Sequence, residues 1–167
     1  MSNPPVRSLA RACRAAALLL CCAASAAAAA TAHRSALFDS TCSMCHQLGA
    51  TGVPGEFPRL AGRVGKIAAT AAGRNYLEHV LLYGMMGTIT VDGTPIVGGV
   101  MPSFSSLSNK QLAAALNYVA SLDATGKLKW RGPVFKPADF ARVRAGKPCS
   151  PRQVHRLRTR VLGKANS

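Results

Sequence analysis

The stretch DSTCSMCHQLGA, residues 39–50, decides how the rest of the chain is read, because it sets two thiols three positions apart and an imidazole directly after the second. Cys42, Cys45 and His46 fit three chemistries: a metal clip, a redox dithiol, or the anchor of a covalently bound haem. A closed zinc site needs four ligands, and His33, His79, His155 and Cys149 show no paired spacing that would complete one. A thioredoxin-like dithiol belongs among alternating strands and helices, and no such run surrounds residues 42–46. Haem attachment needs only what is present. Thiols at this spacing can add across the two vinyl groups of one porphyrin, and His46 then lies beneath the iron as its proximal ligand.

The first 32 residues differ in kind from the rest. Arg7, Arg11 and Arg14 form a basic start, residues 15–30 are uncharged and rich in Ala and Leu, and Ala30-Thr31-Ala32 is a small-residue cleavage pattern. Residues 1–32 are therefore expected to be a signal peptide, which places the mature protein in the periplasm. The other reading of the apolar run is a retained membrane anchor. Cleavage leaves 135 residues starting near His33, enough for one compact domain with an extension. Only Cys42, Cys45 and Cys149 survive the cut, Cys13, Cys21 and Cys22 going with the leader. An odd set in an oxidising compartment argues against a disulfide framework.

A proximal histidine leaves the opposite face of the iron to be filled. Met44 lies between the cysteines and cannot reach that face, so Met85, Met86 and Met101 are the candidates. Met101 sits in VGGVMPSF, where Gly98 and Gly99 permit unusual backbone angles and Pro102 stiffens the next position, so the loop can hold a thioether in place. Met101 is the expected ligand, and Met85 and Met86 are expected to fill the core. A short helix is expected over residues 35–41. Asn75 with Glu78 suggests the start of a second, ending at Gly84, and Ser108 with Gln111 forms the capping box of a third that runs towards Gly126. Residues 52–65 are expected to be loop, and TITVDGTPIVGG predicts a small hairpin turning at Asp92-Gly93.

Taken together, these residues resemble the single-haem class I cytochromes c. The resemblance covers residues 35–123: the short helix, Cys42-Ser43-Met44-Cys45-His46, the loop Phe57-Pro58-Arg59-Leu60-Ala61-Gly62, the Met101-Pro102-Ser103-Phe104 loop, and a helix containing ALNYVAS. It implies an all-α fold wrapped around one covalent haem c, with a short β-hairpin. It also implies that Phe38 packs near Tyr118 where the first and last helices of the haem domain cross, and that the Pro58 carbonyl accepts the proximal imidazole N–H. The GTITVDG and GGVMPSF segments look like those of bacterial cytochromes that act as partners or subunits of periplasmic dehydrogenases.

Charge divides the mature chain in two. Residues 33–126, the expected haem domain, carry six basic and five acidic side chains, whereas residues 127–167 carry twelve basic ones against Asp139 alone. This C-terminal extension also contains Trp130, Val134, Phe135, Phe140 and Val143, which favour packing back on the domain. Ser150-Pro151 opens a helix with a narrow stripe of Val154, Leu157, Val161 and Leu162 among arginines 152, 156, 158 and 160. Such a surface suits an acidic redox partner or an anionic membrane. Export argues against nucleic acid.

The resulting expectation is a periplasmic one-electron carrier, not an enzyme, with His46 and Met101 on the iron. Its partners would be a dehydrogenase as donor and an oxidase or another cytochrome as acceptor. Two other functions stand beside it: the haem subunit of a dehydrogenase complex, and a haem sensor or peroxidase with an open iron.

Overall fold

Helix formation begins ahead of the cysteines, as residues 36–41 (α1) lead through Cys42 into Ser43–His46 (α2). The structure, a computed structural model, describes residues 36–129 and 135–163; the expected leader and the extension's Trp130 and Val134 lie outside them. A 3-10 turn at Leu48–Ala50 follows, then α3 (Val64–Ala68), α4 (Ala71–Tyr83), β1 (Met85–Met86), β2 (Ile89–Val91), β3 (Thr94–Ile96), β4 (Val100–Met101), α5 (Asn109–Ala120), α6 (Pro137–Ala145) and α7 (Pro151–Leu162). The fold is mainly helical, with two antiparallel strand pairs, β2 with β3 and β1 with β4. No described helix is long and apolar enough to cross a membrane.

Local chemistry explains most of these boundaries. The Ser108 hydroxyl accepts the Gln111 N–H while Gln111 Oε1 accepts the Ser108 N–H at 2.9 Å, so both members of the expected capping box are engaged. Ser150 and Gln153 repeat that arrangement for α7, with Pro151 at its first position. Asp92 and Gly93 both have positive φ, 51° and 78°, the signature of the two-residue turn whose twist matches its flanking strands. Phe38 and Tyr118 join α1 to α5 with ring centroids 5.4 Å apart.

Several expectations are corrected. Helix α4 starts four residues before Asn75, because Thr70 Oγ1 accepts the Gly73 N–H at 3.0 Å and so caps an earlier turn. Glu78 is not a capping residue but a buried one, 2% exposed. Val64 and Gly65, expected in loop, open α3. Helix α5 stops at Ala120 rather than near Gly126, since Asp123 Oδ1 accepts N–H groups from Thr125 and Lys127 at 2.8 and 3.0 Å and bends the chain out of the helix. Met85 is core, as expected, but Met86 lies at the surface.

The extension is built into the core. Phe135, Phe140, Val143 and Val154 belong to the same buried cluster as Phe38, Leu82 and Leu116. Asn117 on α5 pairs with the backbone of Phe135, donating to its carbonyl and accepting from its N–H, both at 2.8 Å. Helix α6 packs on α5 and α4, and α7 packs on α4 and β1.

One ion pair fastens α6 to α4: Arg142 donates to the buried Glu78 carboxylate at 3.3 Å. Burial raises the Glu78 pKa and Arg142 opposes the rise. Arg142→Ala is expected to lower the unfolding free energy by about 1 kcal/mol, the low end for stranding a buried acceptor because solvent screens the exposed guanidinium. Adding Glu78→Gln should recover part of that loss in a denaturant titration. Because the folded pKa is raised, the carboxyl's contribution to stability is full below its unfolded pKa and is lost as pH rises through the folded value. Glu78→Gln should abolish that part of the pH slope.

Candidate functional site

The clip occupies almost continuous helix. Cys42 has helical backbone angles, and the Cys45 and His46 N–H groups both donate to the Cys42 carbonyl, at 3.3 and 2.9 Å. Positions three and four apart on a helix share a face, so the two thiols and the imidazole look the same way. Met44, between them, is 86% exposed and points away from that face. Both thiols are half-buried and free. Burial, with the neighbouring Cys45 charge, pushes the Cys42 pKa up to about 11 and keeps it a thiol. Among the described residues no three His, Cys, Asp or Glu side chains converge as a metal site, so the clip gathers no further ligand of those kinds.

His46 is 7% exposed, and its Nδ1 lies 2.9 Å from the Pro58 carbonyl oxygen. Carbonyl oxygen only accepts, so Nδ1 carries the proton and donates it, which leaves Nε2 with its lone pair for a metal. Burial lowers the His46 pKa, against the opposing Pro58 hydrogen bond, and the neutral ring is the form that ligates. The contact depends on Gly52. Its φ is +69°, and a Cβ there would lie 2.5 Å from both Phe57 O and Arg59 N. The Gly52 N–H donates to the His46 carbonyl at 2.8 Å, so the segment carrying Pro58 folds back directly over the end of the clip.

The opposite side is built on the end of α4. The last turn of a helix leaves carbonyls without partners inside it. Here the Ser103 hydroxyl donates to Leu82 O at 2.5 Å and the Phe104 N–H donates to Leu81 O at 2.9 Å, so the methionine loop satisfies them. Gly84 has φ +71°, and a Cβ on it would overlap the Met101 carbonyl and lie 2.9 Å from the Pro102 carbonyl carbon. The chain then leaves α4 as β1, which pairs with β4 so that Met85 stands opposite Met101. Directly opposed residues of an antiparallel pair project to the same face, so the two thioethers are neighbours. They are not equivalent. Met85 is buried with Sδ accepting from the Tyr76 hydroxyl at 3.8 Å, whereas Met101 is only partly buried.

The residues named from sequence thus fall into two constellations. Cys42, Cys45, His46 and Pro58 form one around the clip, and Met101 belongs to the other, at the end of α4. Sequence reasoning placed Gly84 at the end of the helix, as found, but missed its close approach to the methionine loop, and it missed the roles of Gly52 and Tyr76, all of which arise from chain crossings. For Gly52 and Gly84 the residue type itself was the signal; nothing in the sequence pointed to Tyr76.

A helical shell that presents two thiols, an imidazole with Nε2 free and a nearby thioether strand has the donor set of a c-type cytochrome. Residues 34–123 match the family model described as "Cytochrome c". The chain is 40% identical over 121 residues to each of two proteins called cytochrome c-552, both from Thermus thermophilus, one of them assigned to a particular strain of that species. That alignment covers 72% of this chain and 81% and 72% of the two relatives, and it is longer than the family match, so the likeness extends outside residues 34–123. The chain belongs to the cytochrome c family: it is a class I c-type cytochrome, an electron carrier with covalently bound haem c.

Gly52→Ala should displace Pro58 and loosen the His46 ring. The expected result is a stability loss of about 1–3 kcal/mol, the usual cost of forcing a non-glycine residue into strained backbone. NMR of the haem-loaded protein should show the His46 Nδ1 proton exchanging faster than in the parent. Unchanged exchange would separate Gly52 from the proximal contact.

Proposed function

We propose that this cytochrome carries single electrons between redox proteins in the periplasm, with Cys42 and Cys45 as thioether anchors and His46 and Met101 as axial ligands. The observation that supports this most is that the chain supplies a donor for each axial position. The buried imidazole keeps Nε2 free, and Met101 presents a thioether whose cross-strand neighbour, Met85, is held by Tyr76. With a protein donor for each position, a bound haem would have none left for a substrate. Haem c, when bound, supplies the one-electron chemistry, and a thioether ligand raises its potential relative to harder donors.

The residues around the site perform the remaining work. Pro58 fixes the imidazole tautomer and ring plane, so the ring would be held in one orientation towards a bound haem. Phe38, Leu77, Val80 and Leu112 belong to the buried cluster against which Cys42 and Met101 pack, which makes the surroundings apolar. The periplasmic assignment is supported by the composition of residues 1–32. Exposed Arg152, Arg156 and Arg160 on α7 give the molecule a basic side, which suits an acidic donor or acceptor, whether a dehydrogenase, an oxidase or another cytochrome.

Optical spectra of the haem-loaded protein before and after CO test the ligation directly. A low-spin ferrous spectrum indifferent to CO is expected; a high-spin one that shifts with CO would put a sensor or peroxidase-like activity first. Met101→Ala should keep its covalent haem yet bind CO, while Met85→Ala should not bind it. The reverse pattern would transfer the ligand role to Met85.

A further inference from the structure

Arginines on the outer side of α7 stand in a line. Arg152, Arg156 and Arg160 are exposed and follow one another at four-residue steps, so they form a nearly straight row that rises about 6 Å per step. The opposite side of the helix is fixed to the protein. Val154 is buried in the core, Arg158 turns inward and donates to the Thr90 carbonyl at 3.2 Å, and His155 Nε2 lies 2.7 Å from the Thr88 carbonyl. The row therefore cannot leave the surface without unseating α7.

Among the described residues nothing neutralises this row. None of the chain's six acidic side chains pairs with it: Arg142 holds Glu78 and Asp139, Arg59 and Arg63 hold Asp92, and Lys129 holds Asp123. Like charges four apart on a helix repel, and Arg152 adds a cation to the first turn, where the helix dipole disfavours one. The row works against the stability of its own helix, which points to a use outside the molecule. Exposed Lys147 adds a further cation just ahead of α7 in the chain.

The composition of the face decides what it meets. Stable protein interfaces centre on apolar and aromatic side chains and keep charge at the rim. The outer side of α7 has no such centre, and the large apolar side chains that are exposed among the described residues, such as Met44, Val97 and Val100, belong to other elements. A plane of lipid phosphates needs no apolar centre. It attracts basic side chains without insertion, each one near an anionic surface contributing about fivefold to partitioning.

We propose that the arginine row of α7 seats this cytochrome reversibly on an anionic phospholipid bilayer. Such seating involves neither the axial ligands nor a protein partner, and so goes beyond the redox reading above. A carrier held in this way searches for its redox partners across a surface instead of through a volume.

The test is co-sedimentation of full-length, haem-loaded protein with vesicles of phosphatidylcholine mixed with phosphatidylglycerol, and with vesicles of phosphatidylcholine alone, the difference being the anionic part. The parent should sediment with the mixed vesicles at low salt and be released at about 1 M salt, where the screening length falls to about 3 Å. Arg152→Gln, Arg156→Gln and Arg160→Gln should each lower the anionic part by about fivefold, and together by about a hundredfold. Glutamine is a good helix former, so α7 should persist, as circular dichroism would show. A second triple variant, Lys66→Gln with Lys110→Gln and Lys127→Gln, removes the same charge from exposed positions elsewhere and should lower partitioning far less. Parent and variants share residues 1–32, so a difference between them does not arise there. Equal losses in the two triple variants would make net charge, not the row, the attraction and would overturn the proposal, as would unchanged partitioning in the α7 triple variant. Absence of sedimentation with the mixed vesicles would also overturn it; weaker retention of the α7 triple variant than of the parent on immobilised polyglutamate would then assign the face to an acidic protein. Optical spectra of the same samples report the iron's ligation separately, so a failure of the redox reading is distinguishable.

Discussion

The hydrogen bond from His46 Nδ1 to the Pro58 carbonyl is the constraint on which the proposed redox centre depends. It joins two segments twelve residues apart and, in doing so, determines which ring nitrogen keeps its lone pair for the proposed iron bond. A histidine on a short helix would otherwise rotate about two side-chain bonds. Here the helix fixes the Cβ direction, and the carbonyl fixes the ring. The loop can approach closely enough only because Gly52 has no side chain where the Phe57 carbonyl and the Arg59 N–H must pass. The proximal half of the site is therefore a product of one helical turn, one glycine and one proline carbonyl.

The distal half is organised by a different shortage, the unpaired carbonyls at the end of α4. Helix ends in a protein interior need partners, and the loop after Met101 supplies them through Ser103 and Phe104. Strand β4 follows from that attachment, since a loop held at both Leu81 and Leu82 brings Met101 alongside Met85. Helix α7 then covers the outgoing chain, its His155 bonded to the Thr88 carbonyl. The Met101 thioether is thus carried by a strand that is paired on one side and covered beyond it, an arrangement that suits the axial role proposed for it.

The basic extension serves two environments at once. Its apolar residues complete the core of the haem domain, with Phe140 and Val154 fully buried, while arginines 152, 156 and 160 keep to solvent. Arg158 breaks the pattern by lying on the apolar stripe. Helical spacing alone explains this, because position 158 falls four residues after Val154 and shares its face. The charge was among those expected on the outer side, and the structure turns it inward.

What the sequence determined by itself was local: the clip, the capping boxes at Ser108 and Ser150, the Asp92-Gly93 turn and the division of charge between domain and extension. Each of these rests on interactions among residues a few positions apart, whose geometry the peptide chain fixes. The Phe38 and Tyr118 contact and the Pro58 carbonyl were legible only through family resemblance, since nothing in spacing connects such distant residues. Tertiary structure alone decided that Met85 would face Met101, that Tyr76 would hold the Met85 sulfur, and that Glu78 and Arg158 would be buried charges. Those outcomes depend on which surfaces meet when α7 and α6 close over α4. A sequence states which groups are polar and which are apolar, but burial and partnership belong to pairs of segments, and only the folded chain brings the pairs together.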